Sequence, residues 1–262
     1  MSNFKKDILH ENEDKSDVRL NRFLSDAGFC SRREADRLIE AGRVTVDGTK
    51  AELGTRVRPG QVVKVGSKVV RQNDRMVLIA FNKPRGIVCT TDRVREKNNI
   101  IDYIHYPERI YPVGRLDKDS EGLLLMTNQG DLVNKIMRSG NAHEKEYIVT
   151  IDKPVTEHFL EQMAGGIRLS ELDQVTRPCK VKKVDRNTFS IILTQGLNRQ
   201  IRRMCEACGC QVKRLVRVRI MNIRLGNLRT GAYRQITKEE YEELTGLLKD
   251  SSSLSLKERK NQ

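Results

Sequence analysis

Tryptophan is missing from all 262 residues, and phenylalanine and tyrosine bring the aromatic share to only 5%. That scarcity argues against a broad platform on which successive bases stack. No apolar run approaches the roughly 20 residues of a membrane-spanning helix, and the polar, slightly acidic start (1–17) carries no export signal. Four histidines lie scattered. The cysteines, at 30, 89, 179, 205, 208 and 210, are spaced too irregularly for a disulfide framework and suit reduced thiols in the cytoplasm. Cys205, Cys208 and Cys210 form a C-x-x-C-x-C run with no second pair to supply a fourth ligand. They read as small apolar side chains near a helix end, and no metal is expected. The G-x-G-x-x-G, G-x-x-x-x-G-K-[ST] and H-E-x-x-H patterns are all absent. Nucleotide hydrolysis, NAD chemistry and zinc proteolysis therefore have no anchor, and no cofactor is expected.

Positive charge is abundant: 49 Lys and Arg against 35 Asp and Glu, a formal +14. Such a balance suits a polyanionic partner, and without a membrane anchor that partner is RNA or DNA. The length allows one large or two modest cores. Composition divides the chain into polar tails at 1–17 and 250–262, expected to be disordered, a small basic unit at 18–66, a connector at 67–74, and a larger unit at 75–249.

In the small unit Leu20, Phe23, Leu24 and Ala27 fall on one helical face, and Gly28 is placed to end that helix. Ser31 and Glu34 have capping-box spacing before a second apolar stripe of Ala35, Leu38 and Ile39. VTVDG then alternates as a strand into an Asp-Gly turn, and QVVKV gives another strand. Arg32, Arg33 and Arg37 lie on the polar side of the second helix, where they are either an ordinary solvated face or a phosphate-binding one. The stretch RLNRFLSDAGFCSRREADRLIEAGRVTVDG resembles an S4 domain, a compact αL-like RNA-binding module, and that resemblance implies that these arginines grip RNA backbone.

The larger unit reads as α+β, with a mixed, mostly antiparallel sheet flanked by helices. Strands are expected in MVLIAFNKP, GIVCTT, GLLLMTN, KEYIVTI, CKVKKV and TFSIILT, and helices in DLVNKIMRS, TEHFLEQMAGG and NRQIRRMCEACG. Between 195 and 230 stand nine basic residues and one acid, interleaved with apolar side chains, and a surface for phosphates is expected there.

Against that background the carboxylate in PVGRLDKDSEGLLLMTN stands out: Asp117 lies between Arg115 and Lys118, just before a run of leucines. Asp-Lys-Asp-Ser suits a turn, and Asp119 fits a turn role at least as well. A loop at the end of a core strand, with cations beside it, would also hold a carboxylate charged and oriented for chemistry.

Four segments in order resemble the motifs of the pseudouridine synthases: NKPRG, GRLDKDSEGLLLMTNQGDL, HEKEY and GLNRQIRRMCEACG. With the S4-like unit ahead of them, the resemblance is to the RsuA-like branch, and it covers 18–249. It implies isomerisation of a uridine in RNA to pseudouridine, with Asp117 as the catalytic carboxylate, Arg202 as its partner and Tyr147 against the target uracil. Arg199 or Arg203 could exchange roles with Arg202. Arg115 is the candidate to hold the flipped nucleotide or fill the gap it leaves, and Lys83 has a weaker claim, either near the substrate or as the support of a turn. The wording of HEKEYIVT, GLNRQIRRMCE and RIMNI implies a 23S large-subunit ribosomal RNA substrate; a small-subunit or tRNA uridine is the alternative. A non-catalytic S4-type RNA-binding protein of ribosome assembly is the rival class. A monomer is the default.

Overall fold

The computed structural model describes residues 17–71, 76–92 and 95–251. The expected tails fall outside these residues but for a few positions at their inner ends, and so does part of the connector. Two compact units are distinguished. One comprises the described residues up to Val77 with Tyr106–Ile110 and Thr127–Asp131, and the other the remainder.

In the first unit, β1 (Val18–Arg19) leads into α1 (Leu20–Asp26) and α2 (Arg32–Glu40). Leu20, Leu24, Ala35 and Ile39 bury the apolar stripes of both helices. The Ser31 side chain accepts from Glu34 N at the start of α2, while the Glu34 carboxylate accepts from Arg37. Only half of the expected capping box is thus made. Asn21 donates to Asp36 at 2.9 Å and ties the two helices together. Strands β2 (Val44–Val46), β3 (Thr49–Lys50), β5 (Val63–Val65) and β6 (Lys68–Val70) form a sheet in the order β3-β2-β5-β6, and β4 (Arg56–Val57) pairs with β1. Asp47 and Gly48 both have positive φ, the geometry a two-residue hairpin turn requires. The Asp47 carboxylate accepts from Val62 N and Gln61, which holds it below the usual carboxylate range.

The second unit runs β7 (Leu78–Lys83), α3 (Ile100–Ile104), β8 (Tyr111–Pro112), β9 (Glu121–Thr127), α4 (Gly130–Met137), β10 (Lys145–Ile151), α5 (Glu157–Gly165), β11 (Arg168–Leu169), β12 (Gln174–Val175), β13 (Lys180–Asp185), β14 (Thr188–Leu193), α6 (Gln200–Ala207), β15 (Val212–Ile220), β16 (Ile223–Arg224), β17 (Tyr233–Gln235) and α7 (Lys238–Leu247). Its main sheet follows the order β13-β14-β10-β15-β9-β7-β17, with β16 on β15 and β8 on β9. Most of its registered pairs are antiparallel, and β15 with β9 is a parallel seam. This is the mixed α+β architecture the sequence implies. One apolar cluster joins Val149, Phe189, Ile191 and Leu215 of the sheet to Phe159 and Met163 of α5 and Met204 and Cys205 of α6. A second joins Leu78, Leu123 and Leu125 to Leu132 and Ile136 of α4 and Leu244 of α7.

Two expectations fail here. GIVCTT is not a strand: Val88 makes an isolated bridge to Asn99, and its backbone bonds go to Asn98 and Ile100 across the loop instead of to the sheet. The basic stretch does not gather on one surface. It contains β15, whose register against β10 shifts between Arg219 and Arg217, so Arg217 is buried opposite Tyr147 while Arg219 lies between Glu146 and Glu144. Arg214 pairs with Glu121. Helix α7 had no expected counterpart, although Thr237 and Glu240 make a complete capping box at its start.

The seam between β15 and β9 rests on a glycine. Gly122 has φ +98°, and a Cβ there would lie 2.4 Å from Arg217 O and 2.9 Å from Arg217 N. Neither neighbour is a flexible side-chain end that can swing aside. Gly122→Ala should lower stability by about 3 kcal/mol, or roughly 6–12 °C in Tm. Calorimetry showing an unchanged Tm would mean that β9 can move off β15 freely.

Candidate active site

Asp117 occupies a tight turn that feeds β9. Upstream, Val113 N donates to Leu125 O at 2.8 Å, and the buried Leu116 directs its N–H toward Cys89 Sγ at 3.4 Å. Ser120 N then closes the turn on Asp117 O at 3.1 Å. Leu123, Leu124, Leu125 and Met126 follow, all fully buried, so the turn is anchored in the core while the Asp117 side chain stays 35% exposed. The turn reading and the functional reading of this residue are therefore compatible.

Buried cations hold the turn from behind. Lys83, 0% exposed, donates from Nζ to Pro84 O at 2.9 Å, Lys118 O at 3.3 Å and Ser120 O at 2.8 Å. Burial pulls its pKa below the usual lysine range, and nearby Cys89 and Asp117 oppose that shift. Lys83 had the weaker claim on substrate, with support of a turn as its alternative. With no exposed surface and its donors spent on carbonyls, it instead braces the loop. Arg202, the third residue of α6, donates from Nη2 to Asp119 O at 3.2 Å and Ser120 Oγ at 3.4 Å. Burial, then the like charge of Arg199, lowers its pKa.

On the open side, Arg199 Nη1 lies 3.9 Å and Arg202 Nε 4.0 Å from Asp117 Oδ2. These are charge contacts longer than hydrogen bonds, so the carboxylate oxygens keep acceptor capacity for an incoming group. Arg202 Nε is itself buried without a hydrogen-bond partner. Arg199 reaches the site from a left-handed backbone, φ +51°, immediately before α6.

The other expected residues divide clearly. Arg203, one position beyond Arg202, points elsewhere: it donates to Asn198 O and Oδ1 and pairs with Glu171, so it does not exchange roles with Arg202. Successive helical side chains diverge by about 100°, which accounts for the split. Arg115 is exposed on the same loop as Asp117. Tyr147 is half-buried on β10, packed on the cluster under α6, and registers with Arg217 of β15. Arg217 registers in turn with Gly122, so one row of the sheet runs from Tyr147 to the strand the Asp117 turn feeds. Arg32, Arg33 and Arg37 are exposed on α2.

Two buried residues beside the site were missed: Lys145 carried no expectation, and Arg217 was counted in the surface for phosphates. Lys145 donates to His143 O at 3.0 Å, and burial with the Arg217 charge lowers its pKa to about 8. Arg217 is 1% exposed. The usable signals were the Lys-x-Tyr spacing, which puts Lys145 and Tyr147 on one strand face, and the period-two alternation of VKRLVRVRI. Among the described residues no group of three or more His, Cys, Asp or Glu is arranged to hold a metal. Burial pushes the Cys205 thiol far above the usual range, away from the thiolate a ligand needs. No helix among them is long and apolar enough to cross a membrane.

A two-helix basic module ahead of a mixed sheet that presents one carboxylate between two arginines describes an RNA-modifying isomerase, and the chain belongs to the RNA pseudouridine synthase family. The RNA pseudouridylate synthase family model matches residues 77–207, and the S4 domain model matches 18–74. The chain is 52% identical over 240 residues to the dual-specificity RNA pseudouridine synthase RluF of Escherichia coli K12, covering 91% of this chain and 82% of that one. It is 33% identical over 235 residues to ribosomal large subunit pseudouridine synthase B of Bacillus subtilis, covering 87% and 96% of the two. A crystal structure of a pseudouridylate synthase, 28% identical, superposes with a TM-score of 0.64 over 87% of this chain and 99% of that one.

Proposed function

We propose that this enzyme converts a specific uridine of 23S large-subunit ribosomal RNA to pseudouridine, with Asp117 as the reacting carboxylate. The observation that carries the assignment of the centre is the Asp117 carboxylate, half open to solvent, with Arg199 and Arg202 at 3.9 and 4.0 Å and a backbone braced by buried donors. The large-subunit assignment is supported by the relatives. One is named for the large subunit, and the other is named dual-specificity, which favours a second RNA class; tRNA is the proposed one.

The reaction breaks N1–C1′, turns the uracil, forms C5–C1′ and moves a proton from C5 to N1. It consumes no energy source and changes no oxidation state. Asp117 supplies the anionic oxygen that acts at the sugar or the base. Arg202 and Arg199 orient that oxygen, and Tyr147 takes part in removing the C5 proton. The target must leave its stack, at a cost of about a few kcal/mol, and Arg115 holds the displaced nucleotide. Residues 18–66 act as the RNA-gripping module through Arg32, Arg33 and Arg37, and 75–249 as the catalytic unit. A cytoplasmic monomer suffices for this scheme.

Pseudouridine mapping of ribosomal RNA and tRNA from cells with and without the protein tests the substrate. The expected result is loss of a signal in 23S RNA, with a tRNA signal lost as well; unchanged maps in both would refute the proposal. Removing residues 1–66 should weaken RNA binding about 10-fold or more at physiological salt, since each lost phosphate contact returns counterions to the RNA. Turnover of saturating RNA should fall much less. Equal affinity and equal site selection in the truncated chain would contradict the gripping role.

A further inference from the structure

Arg217 is an odd residue to find in the middle of a sheet. Its side chain is 1% exposed, its Nε donates to Leu123 O at 2.7 Å, and its Nη2 is buried with no hydrogen-bond partner. A charge of the same sign acts on it from β10: the buried Lys145, whose pKa Arg217 itself depresses. A buried cation beside another cation, with a donor left unmade, destabilises the fold, and a methionine or leucine of similar size would pack there without that cost. Packing alone does not account for an arginine at this position.

Its place in the sheet does. Tyr147 of β10 registers with Arg217 in an antiparallel pair, next to a register shift; side chains of such a pair stand on the same face about 5 Å apart at Cβ. On the other side Arg217 registers with Gly122 in the parallel seam. That seam has only two registered pairs, Val216 with Glu121 and Arg217 with Gly122. The positive φ of Gly122 takes the backbone out of regular strand geometry. The guanidinium then reaches one residue further and satisfies Leu123 O. One residue thus pairs with the tyrosine's strand and, through its side chain, holds the start of the strand that the Asp117 loop feeds.

We propose that Arg217 is a positioning residue for pseudouridine formation, fixing the separation of Tyr147 and the Asp117 loop by bonding across the β15–β9 seam. The proposal rests on the assignment of Asp117 and Tyr147 to the reaction. Arg217 itself touches neither RNA nor the reacting atoms. Its loss lets β9 shift against β10, and a misplacement of about 1 Å between reacting groups costs on the order of 10²-fold in rate.

The test compares full-length wild type with Arg217→Gln, Arg217→Lys and Leu244→Ala, by tritium release from RNA labelled at uridine C5 under saturating and limiting RNA. Arg217→Gln should lose about 10²-fold in kcat with KM unchanged within about twofold, because RNA contacts lie elsewhere. Arg217→Lys, which keeps a charged donor able to reach Leu123 O, should recover most of that loss. Leu244 is a buried residue of α7 that shares the apolar cluster of Leu123 but is not part of the row from Tyr147 through Arg217 to Gly122. Leu244→Ala should lower Tm at least as much as Arg217→Gln while leaving kcat of the folded enzyme near wild type, which separates positioning from stability. Full kcat in Arg217→Gln, or a kcat loss in Leu244→Ala that matches it at equal Tm, overturns the proposal. If wild type itself releases no tritium, it is the synthase reading that fails.

Discussion

Replacing Asp117 with asparagine should reduce pseudouridine formation by at least about 10³-fold, the scale at which a single group at a reacting centre counts. The amide matches the carboxylate in size, and Asp117 engages the loop through its backbone carbonyl, not its side chain. The turn, the bracing by Lys83 and the Arg202 bond to Asp119 O therefore survive the change. RNA affinity should stay within about threefold, since the substitution removes one negative charge from a chain of formal +14. The two measurements together are decisive. Normal turnover in the asparagine variant would leave Asp117 without a chemical role, and joint loss of binding and turnover would point to a structural one.

The second large effect belongs to Arg202. One guanidinium does several things: Nη2 holds Asp119 O and Ser120 Oγ, Nη1 donates to Val212 O at 3.5 Å, and Nε faces the Asp117 carboxylate at 4.0 Å. Arg202→Met keeps the aliphatic stem and removes all of these, leaving Asp119 O to find another donor. An expected kcat loss of about 10²–10³-fold follows, together with a lower Tm. Arg202→Lys restores charge but not the planar fork, so it should recover only part of the rate. Arg203 is the internal control. It bonds Asn198 and pairs with Glu171, so Arg203→Met should alter kcat by less than about threefold even though it is the adjacent residue. Reversal of that order would mean that the neighbouring guanidiniums had been assigned the wrong way round.

The parts of this molecule that were legible in the sequence are those governed by local rules. The helix stripes at Leu20, Leu24, Ala35 and Ile39, the Asp47-Gly48 hairpin and the buried run Leu123–Met126 are set by short-range periodicity and turn chemistry. The pairing of distant residues is harder to read. Arg202 and Arg203 are indistinguishable as letters, and only the rotation of α6 about its axis sends one to Asp117 and the other to Glu171. In VKRLVRVRI the basic residues look like a surface stripe until the strand's two faces are known, and then Arg217 becomes interior. For Lys83 the support of a turn was foreseen, but not its burial. A lysine in a turn is ordinarily solvated, and nothing within NKPRG reveals that carbonyls from 118 and 120 fold back onto its ammonium. GIVCTT has the composition of a strand, but Val88 spends its backbone bonds on the loop at 98–100.

The donors that clasp the 118–123 carbonyls lie inside the protein, whereas the arginines of α2 face the solvent. Mobile ions reach the second group and hardly touch the first. Added salt should thus strip the RNA from its holder while the loop stays set, so capture and chemistry respond to the ionic medium as two independent dials.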